Sequence, residues 1–356
     1  MKKVMWVLLV SMFLGLLLYT TFNLLSNDKD IVYDDEQEGL NDQIIIKFSY
    51  VVAENTPKAL TAQKFAELAQ EKTNGRVKVE VFPNGILYSD EEEIEAIKNG
   101  NVQMIAPASS KVTSIFPELN LLDLPFAFPT YESIDEALTG EIGKSLLKAT
   151  NTDRLIGFSL WNNGFKQVTS NRGSLTQPED FQGQYFRVMP GDVIEKQFDL
   201  LNVQTSQIPF NLTYLNLENG TITGQENTLS NIYSKKFYEV QDHMTISNHG
   251  LLSYVVLMNK DFWNGLPQDI QKSLNEAMEE ATDWNLQNAL TMNKNALEKI
   301  KKKSDIHIHE LTREEKESWM KELNPVYEQF EPVIGKELLS KLQSLRKANG
   351  MRVSDD

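Results

Sequence analysis

A two-lobe α/β fold is predicted for this 356-residue chain by three observations. Strand and helix patterns alternate from Gln43 to Ala106. Two strand patterns then meet at Asn162-Asn163-Gly164, a turn-like break that suits a hinge. Helical periodicity finally runs unbroken from Pro267 to Lys303, about 55 Å at the helical rise, enough to cross both lobes. The length allows two domains of ordinary size, and 41% hydrophobic with 24% charged residues is the composition of a folded body.

The elements follow in order. Ile44-Ile45-Ile46-Lys47-Phe48 reads as a buried strand. Asn55 or Thr56 can cap a helix begun by Pro57, with Ala62, Phe65, Ala66 and Ala69 on one face and an end at Asn74-Gly75. Val77, Val79 and Val81 alternate with Lys78, Glu80 and Phe82 as a second strand. Ser89 and Glu92 have capping-box spacing for a helix that stops at Asn99-Gly100, and a strand follows from Val102 to Ala106. This βαβ rhythm predicts a largely parallel sheet. Leu119 to Thr130 is apolar with two prolines and reads as a buried crossover loop. A helix is expected near Tyr131 to Thr150, then strands at Arg154 to Trp161 and Phe165 to Asn171. A second α/β region runs from about Lys166 to Asn248, and Leu251 to Met258 reads as a strand returning to the first lobe. The lobes are accordingly expected at 43–163 with 251–291, and at 164–250 with 292–350.

The N-terminus bears on location. Lys2 and Lys3 precede Val4 to Leu25, a run of 22 residues without a charge. As a helix this run would span about 33 Å, close to a bilayer's hydrocarbon thickness. The lysines predict a cytoplasmic start and an external remainder. The exit, Tyr19-Thr20-Thr21-Phe22-Asn23, lacks the small residues of a cleavage site. An uncleaved signal anchor over 1–25 is therefore favoured, followed by an acidic tether over 26–42.

Several function classes fall away. With no cysteine there is no disulfide, Cys-based zinc site, thiol nucleophile or lipidated N-terminal Cys. The net charge of −15 argues against nucleic acid. No phosphate loop, nucleophile elbow or dinucleotide fingerprint is present, and no cofactor is indicated. His307 and His309 would share one face of a strand, but without an obvious third ligand a solvent-exposed edge is the better account. The charge run Asp90 to Glu93 opens a helix, and Lys299 with Lys301 to Lys303 closes one; the helix dipole accounts for both.

Gly183-Gln184-Tyr185-Phe186-Arg187-Val188-Met189 and Thr223-Gly224-Gln225-Glu226-Asn227 are the most informative segments. With Val51 to Lys58, Val79 to Gly85, Asp123 to Pro129 and Trp161 to Gln167, they resemble the extracytoplasmic solute-binding proteins of tripartite ATP-independent periplasmic (TRAP) transporters. The resemblance covers Ile46 to roughly Gly335. Within that family it is nearest the C4-dicarboxylate-binding members of Gram-positive bacteria. It implies a periplasmic-binding-protein-like fold whose cleft closes over a small organic acid. It also implies a binder rather than an enzyme.

By the same resemblance, Arg187 would grip a carboxylate through its planar guanidinium, and Asn227 would donate from its amide. Lys166 stands where many members carry a second basic residue; alternatively it is a solvated strand lysine. Phe210 matches an aromatic that packs on ligand, though core packing also explains it. Glu226 would support the site rather than touch an anion, and Tyr50, Ser109 and Ser110 could line the first lobe's side. Two positions depart from the family pattern: Leu212 replaces a Glu and Thr223 an Asp, both at the rim. The implied partner is a TRAP membrane permease, or, for a tethered binder, a membrane sensor kinase that reads the loaded form.

Overall fold

The computed structural model describes residues 43–350; the expected signal anchor (1–25) and the acidic tether (26–42) lie outside the described residues. Among the described residues nine strands form one continuous sheet, in the order β2-β1-β3-β8-β4-β7-β5-β6, with β9 paired to β8.

The first end of the sheet follows the expected rhythm. β1 (Ile44–Ser49) lies parallel to β2 (Val77–Phe82) and β3 (Met104–Ile105). Between them run α1 (Pro57–Lys72) and α2 (Glu93–Lys98). Thr56 caps α1, its hydroxyl accepting from the Ala59 N–H, with Pro57 opening the helix. At α2 the capping box is only half formed. The Ser89 N–H and hydroxyl both donate to Glu92, while no side chain caps the helix itself.

The helix expected near Tyr131 to Thr150 is two: α3 (Tyr131–Thr139) and α4 (Glu141–Ala149). Gly140 separates them in an extended conformation, and a Cβ there would lie 2.4 Å from the Glu136 carbonyl. Nor do two strands meet at a turn at Asn162-Asn163-Gly164. β4 (Leu155–Ser170) passes straight through as one strand, with register shifts against β8 (His243–Asn259) on both sides of Asn163. A turn would have needed the chain to reverse. Here Gly164, at φ +112°, absorbs a bulge that bends the strand without ending it.

β4 and β8 pair antiparallel along most of their length, and β3 and β7 also join them antiparallel, so the sheet is mixed rather than largely parallel. Antiparallel pairing is what allows two long strands to pass between the halves of the molecule side by side. At the second end, β5 (Tyr185–Arg187) is parallel to β6 (Gln204–Ser206) and β7 (Gly224–Thr228). α5 (Asp192–Leu200), α6 (Thr213–Glu218) and α7 (Leu229–Ser234) complete this end.

Beyond β8, a short α8 (Lys260–Gly265) leads into α9 (Gln268–Lys303), the long helix, which packs on α1, β4 and α7. Its 36 residues give about 54 Å. Two buried asparagines pin it. Asn285 accepts from the Asn162 N–H and donates to Thr61 of α1; Asn293 accepts from the Ser230 N–H and donates to the Asn163 carbonyl. Lys301, Lys302 and Lys303 end it with the sign the dipole favours.

The chain closes with β9 (His307–Glu310), α10 (Arg313–Leu323), α11 (Pro325–Ile334) and α12 (Lys336–Ala348). α12 packs on α3 and α4, while α11 packs on the 117–123 turn. The core divides by sheet face. Tyr254, Val256 and Met258 of β8 join the cluster under α1 and α9, whereas Val255 and Leu257 join the one under α3, α11 and α12.

Candidate functional site

Between the two ends of the sheet lies a cavity with about 340 Å³ of empty volume. Its polar lining is Lys58, Asp90, Lys111, Arg187, Asn227, Asn231 and Tyr254; Phe210, Met189, Leu252, Val51, Val52 and Ala108 supply the apolar wall.

Arg187 ends β5, beside β7 at the register Arg187↔Gln225. Only 1% of the residue is exposed. Its Nε donates to the Ile208 carbonyl at 2.9 Å, while Nη1 is buried with no hydrogen-bond partner. Burial pulls the guanidinium down to about 10, with Asp90 and Glu226 pulling the other way. The Phe210 ring lies 5.8 Å from its central carbon. Asn227, on β7, holds Oδ1 against the Asn231 amide at 2.7 Å and the Thr228 N–H at 3.1 Å. That leaves its NH2 as the group free for an incoming oxygen.

Lys58 is the counterpart on the other side of the cavity, and no role had been assigned to it from the sequence. Its Nζ donates to the Ala106 carbonyl at 2.8 Å and sits 4.0 Å from the centroid of the Tyr254 ring. No described carboxylate lies within ion-pair distance of it. Burial pushes the amine down to about 8, against opposing pulls from Glu93 and Asp90. The sequence carried a signal: Lys58 follows Pro57 in the first turn of α1, where the helix dipole disfavours a cation.

Asp90 and Glu93 are not the solvated dipole partners the charge run suggested. Asp90 forms an ion pair with Lys111 at the cavity wall. Glu93 is buried behind it, touched at 3.4 Å by the Ser49 hydroxyl, and burial pushes its carboxyl up to about 8 despite Lys58. Asp90 and Glu93 turn inward here, while Glu91 and Glu92 between them stay exposed.

Of the eight residues expected at the site, Arg187, Asn227 and Phe210 line the cavity and the other five do not. Lys166 is neither a cavity lysine nor a solvated one. Its Nζ lies 2.9 Å from Glu226 Oε1, and His249 Nε2 lies 2.9 Å from Glu226 Oε2. His249 Nδ1 meets the Ser247 hydroxyl at 2.7 Å. Burial would raise the Glu226 carboxyl, but Lys166 and His249 outweigh it and hold it at about 2. Asp123 is buried nearby, pushed up to about 7 by burial. Ser109 bonds the Ser253 hydroxyl, Ser110 backs onto Gly191, and the Tyr50 ring stands 5.8 Å from Lys58 Nζ. All three are buried one layer out.

Among the described residues no group of three or more His, Asp or Glu is arranged to hold a metal. His307 stacks edge-on against His243 at 5.6 Å, and His309 bonds Glu315 at 2.8 Å. No helix among the described residues is long and apolar enough to cross a membrane.

The model of the family described as bacterial extracellular solute-binding protein, family 7, matches residues 48–332. The chain is 53% identical over 330 residues to the C4-dicarboxylate-binding protein DctB of Bacillus subtilis, covering 93% of this chain and 94% of that one. It is 40% identical to the C4-dicarboxylate-binding periplasmic protein DctP of Rhodobacter capsulatus, over 86% and 92% of the two chains. A TRAP periplasmic solute-binding protein from Sulfurospirillum deleyianum, solved with bound succinate, superposes with a TM-score of 0.81 at 40% identity. That match covers 85% of this chain and 99% of the other. One from Pseudomonas aeruginosa with bound L-malate gives 0.78 at 34% identity, over 80% and 99%. The family match spans most of the chain and the fold agrees with these solved structures, so the chain belongs to the bacterial extracellular solute-binding proteins of family 7.

Proposed function

We propose that this protein captures a C4-dicarboxylate outside the cytoplasm for delivery to a TRAP-type permease. One observation carries the reading: two buried cations without an anion partner, Lys58 and Arg187, line the same cavity. An unpaired buried charge is costly, and a dianion would relieve both at once. Lys111 and Asp90 answer each other, so two positive charges remain for two carboxylates. The succinate, malate and C4-dicarboxylate relatives support the same ligand class.

Arg187 takes one carboxylate through Nη1 and Nη2, with the Asn227 amide donating to the same end. Lys58 takes the other, and Phe210 and Tyr254 close the apolar flanks. Lobe limits near residues 163, 250 and 291 make β4, β8 and α9 the segments that flex as the cleft shuts. Closure removes water and strengthens both ion pairs. A micromolar complex needs about −8 kcal/mol, within reach of these contacts. No turnover of the acid is expected. The 22 uncharged residues after Lys3 favour tethering to the membrane. A tethered binder could also present its loaded form to a sensor kinase.

Calorimetric titration of the full-length chain with succinate, fumarate, malate and several monocarboxylates tests the reading. Dicarboxylates should bind, and Arg187→Ala should weaken them by roughly 100-fold or more. Silence toward every dicarboxylate would overturn the ligand class, and unchanged binding in the variant would remove Arg187. Loss of uptake on deletion favours delivery, whereas normal uptake with lost induction favours sensing.

A further inference from the structure

Glu93 is a buried carboxyl that the ligand contacts do not use. It is 1% exposed and does not line the cavity, and no cation lies within ion-pair distance of it. The charged groups facing it are Lys58 from α1, Asp90 from the connection after β2, and Lys111 from the turn at 109–112. The Ser49 hydroxyl approaches it from β1. Of the groups facing Glu93, Lys58 is a cation that itself lines the cavity, so the charge on Glu93 reaches the cavity through it.

We propose that Glu93 makes the cavity selective for dianions by holding a proton while the dicarboxylate is bound, acting through Lys58. The proposal rests on Lys58 and Arg187 being the two carboxylate partners. With Glu93 neutral, Lys58 keeps its full positive charge for the distal carboxylate. With Glu93 ionised, its charge offsets that of Lys58, and the cavity carries about one net positive charge where it had two. A monocarboxylate would then satisfy it as well as a dicarboxylate.

The state of the apo site is consistent with this. Burial raises the Glu93 carboxyl to about 8, so it is mostly protonated at neutral pH. Lys58, lowered by burial to about 8, is mostly protonated too. An arriving dianion favours the protonated form of both groups. Binding above about pH 8 must therefore take up protons, and each one adds up to a tenfold loss of affinity per pH unit. Lys58 accounts for at most one of them; Lys111, whose amine burial also lowers, can supply another, and Glu93 a further one that the Glu93→Gln comparison assigns. Glu93 is thus a positioning residue for charge, apart from any contact with ligand.

The test is succinate and butyrate titration of the full-length protein from about pH 7 to about pH 9.5, in buffers of different ionisation enthalpy. Wild-type protein should take up more than one proton per succinate near about pH 9. Its preference for succinate over butyrate should fall along the same curve. Glu93→Gln should lose one proton of uptake and flatten the pH dependence, and Glu93→Asp should restore it. Equal proton uptake in wild type and Glu93→Gln overturns the proposal. Should Glu93→Gln fail to fold, a wild-type count of one or less overturns the proposal by itself, and the Glu93→Asp comparison replaces the Gln variant. Absence of succinate binding to wild type at about pH 7 is a different failure, because it removes the dicarboxylate reading itself and this proposal with it.

Discussion

Lys166 Nζ lies 2.9 Å from Glu226 Oε1, and neither side chain is more than 2% exposed. His249 completes the carboxylate's partners from the other side. The lysine that looked like a second ligand contact is therefore an internal cation, spent on the third residue of β7, directly after Gly224-Gln225. Removing Lys166 leaves Glu226 with His249 alone, and removing Glu226 leaves the Lys166 charge buried without its carboxylate. Lys166→Met and Glu226→Gln should each cost roughly 3–5 kcal/mol in urea unfolding at neutral pH. The double variant should cost clearly less than the two together. Strict additivity would show that the pair is not coupled.

The pH dependence of that pair has a definite sign. Glu226 is held at about 2, below its ordinary value of 4.5. Its contribution is complete above about pH 4.5 and is lost as pH falls toward about 2. Wild-type stability should therefore drop across that window more steeply than the stability of Glu226→Gln, as read by urea midpoints at successive pH values. Parallel curves would remove Glu226 from the acid transition.

Much of the fold could be read from local pattern, because α1, β1, β2 and α9 each carry a period, a cap or a stop of their own. The misjudged elements were those decided by distant partners. β4 looked like two strands because Asn162-Asn163-Gly164 has turn composition. Only the pairing with β8 and the hold of Asn285 and Asn293 keep the chain extended there. At the site, Arg187 and Asn227 sit in motifs that point to them. Lys58, Asp90 and Glu93 come from two separate connections, and nothing in their local spacing says that they meet. Lys58 did carry one local sign, a cation at a helix N-terminus against the dipole.

The bend in β4 is a place where a single methyl group should be felt. A Cβ on Gly164 would lie 2.5 Å from Asn293 Nδ2 and 3.0 Å from the Tyr131 hydroxyl, and φ is +112°. The backbone strain alone is on the order of 1–3 kcal/mol. Asn293 must also shift, loosening its hold on the Ser230 N–H at the start of α7, which carries Asn231 into the cavity. Gly164→Ala should lower both the urea midpoint and the affinity for succinate. A variant that loses stability but binds normally would show that Asn293 does not position the cavity wall.

Lys58 sets stability against function. Its amine is lowered from 10.5 to about 8, so the charged form is disfavoured by folding. That penalty is fully present below about pH 8 and fades as pH rises toward about 10.5, where the unfolded chain also loses its proton. Lys58→Met keeps the aliphatic stem and removes the charge, at the loss of one hydrogen bond to the Ala106 carbonyl. The net result should be a gain of roughly 1–3 kcal/mol in the ligand-free protein at neutral pH, shrinking at higher pH. The same variant should lose dicarboxylate affinity by roughly 100-fold or more. Thermal unfolding with and without succinate reads both effects in one experiment. The variant should melt above wild type without ligand and fail to rise when it is added. A variant that melts below wild type at every pH would mean that Lys58 is held by the fold for stability, and would return the second carboxylate to another partner.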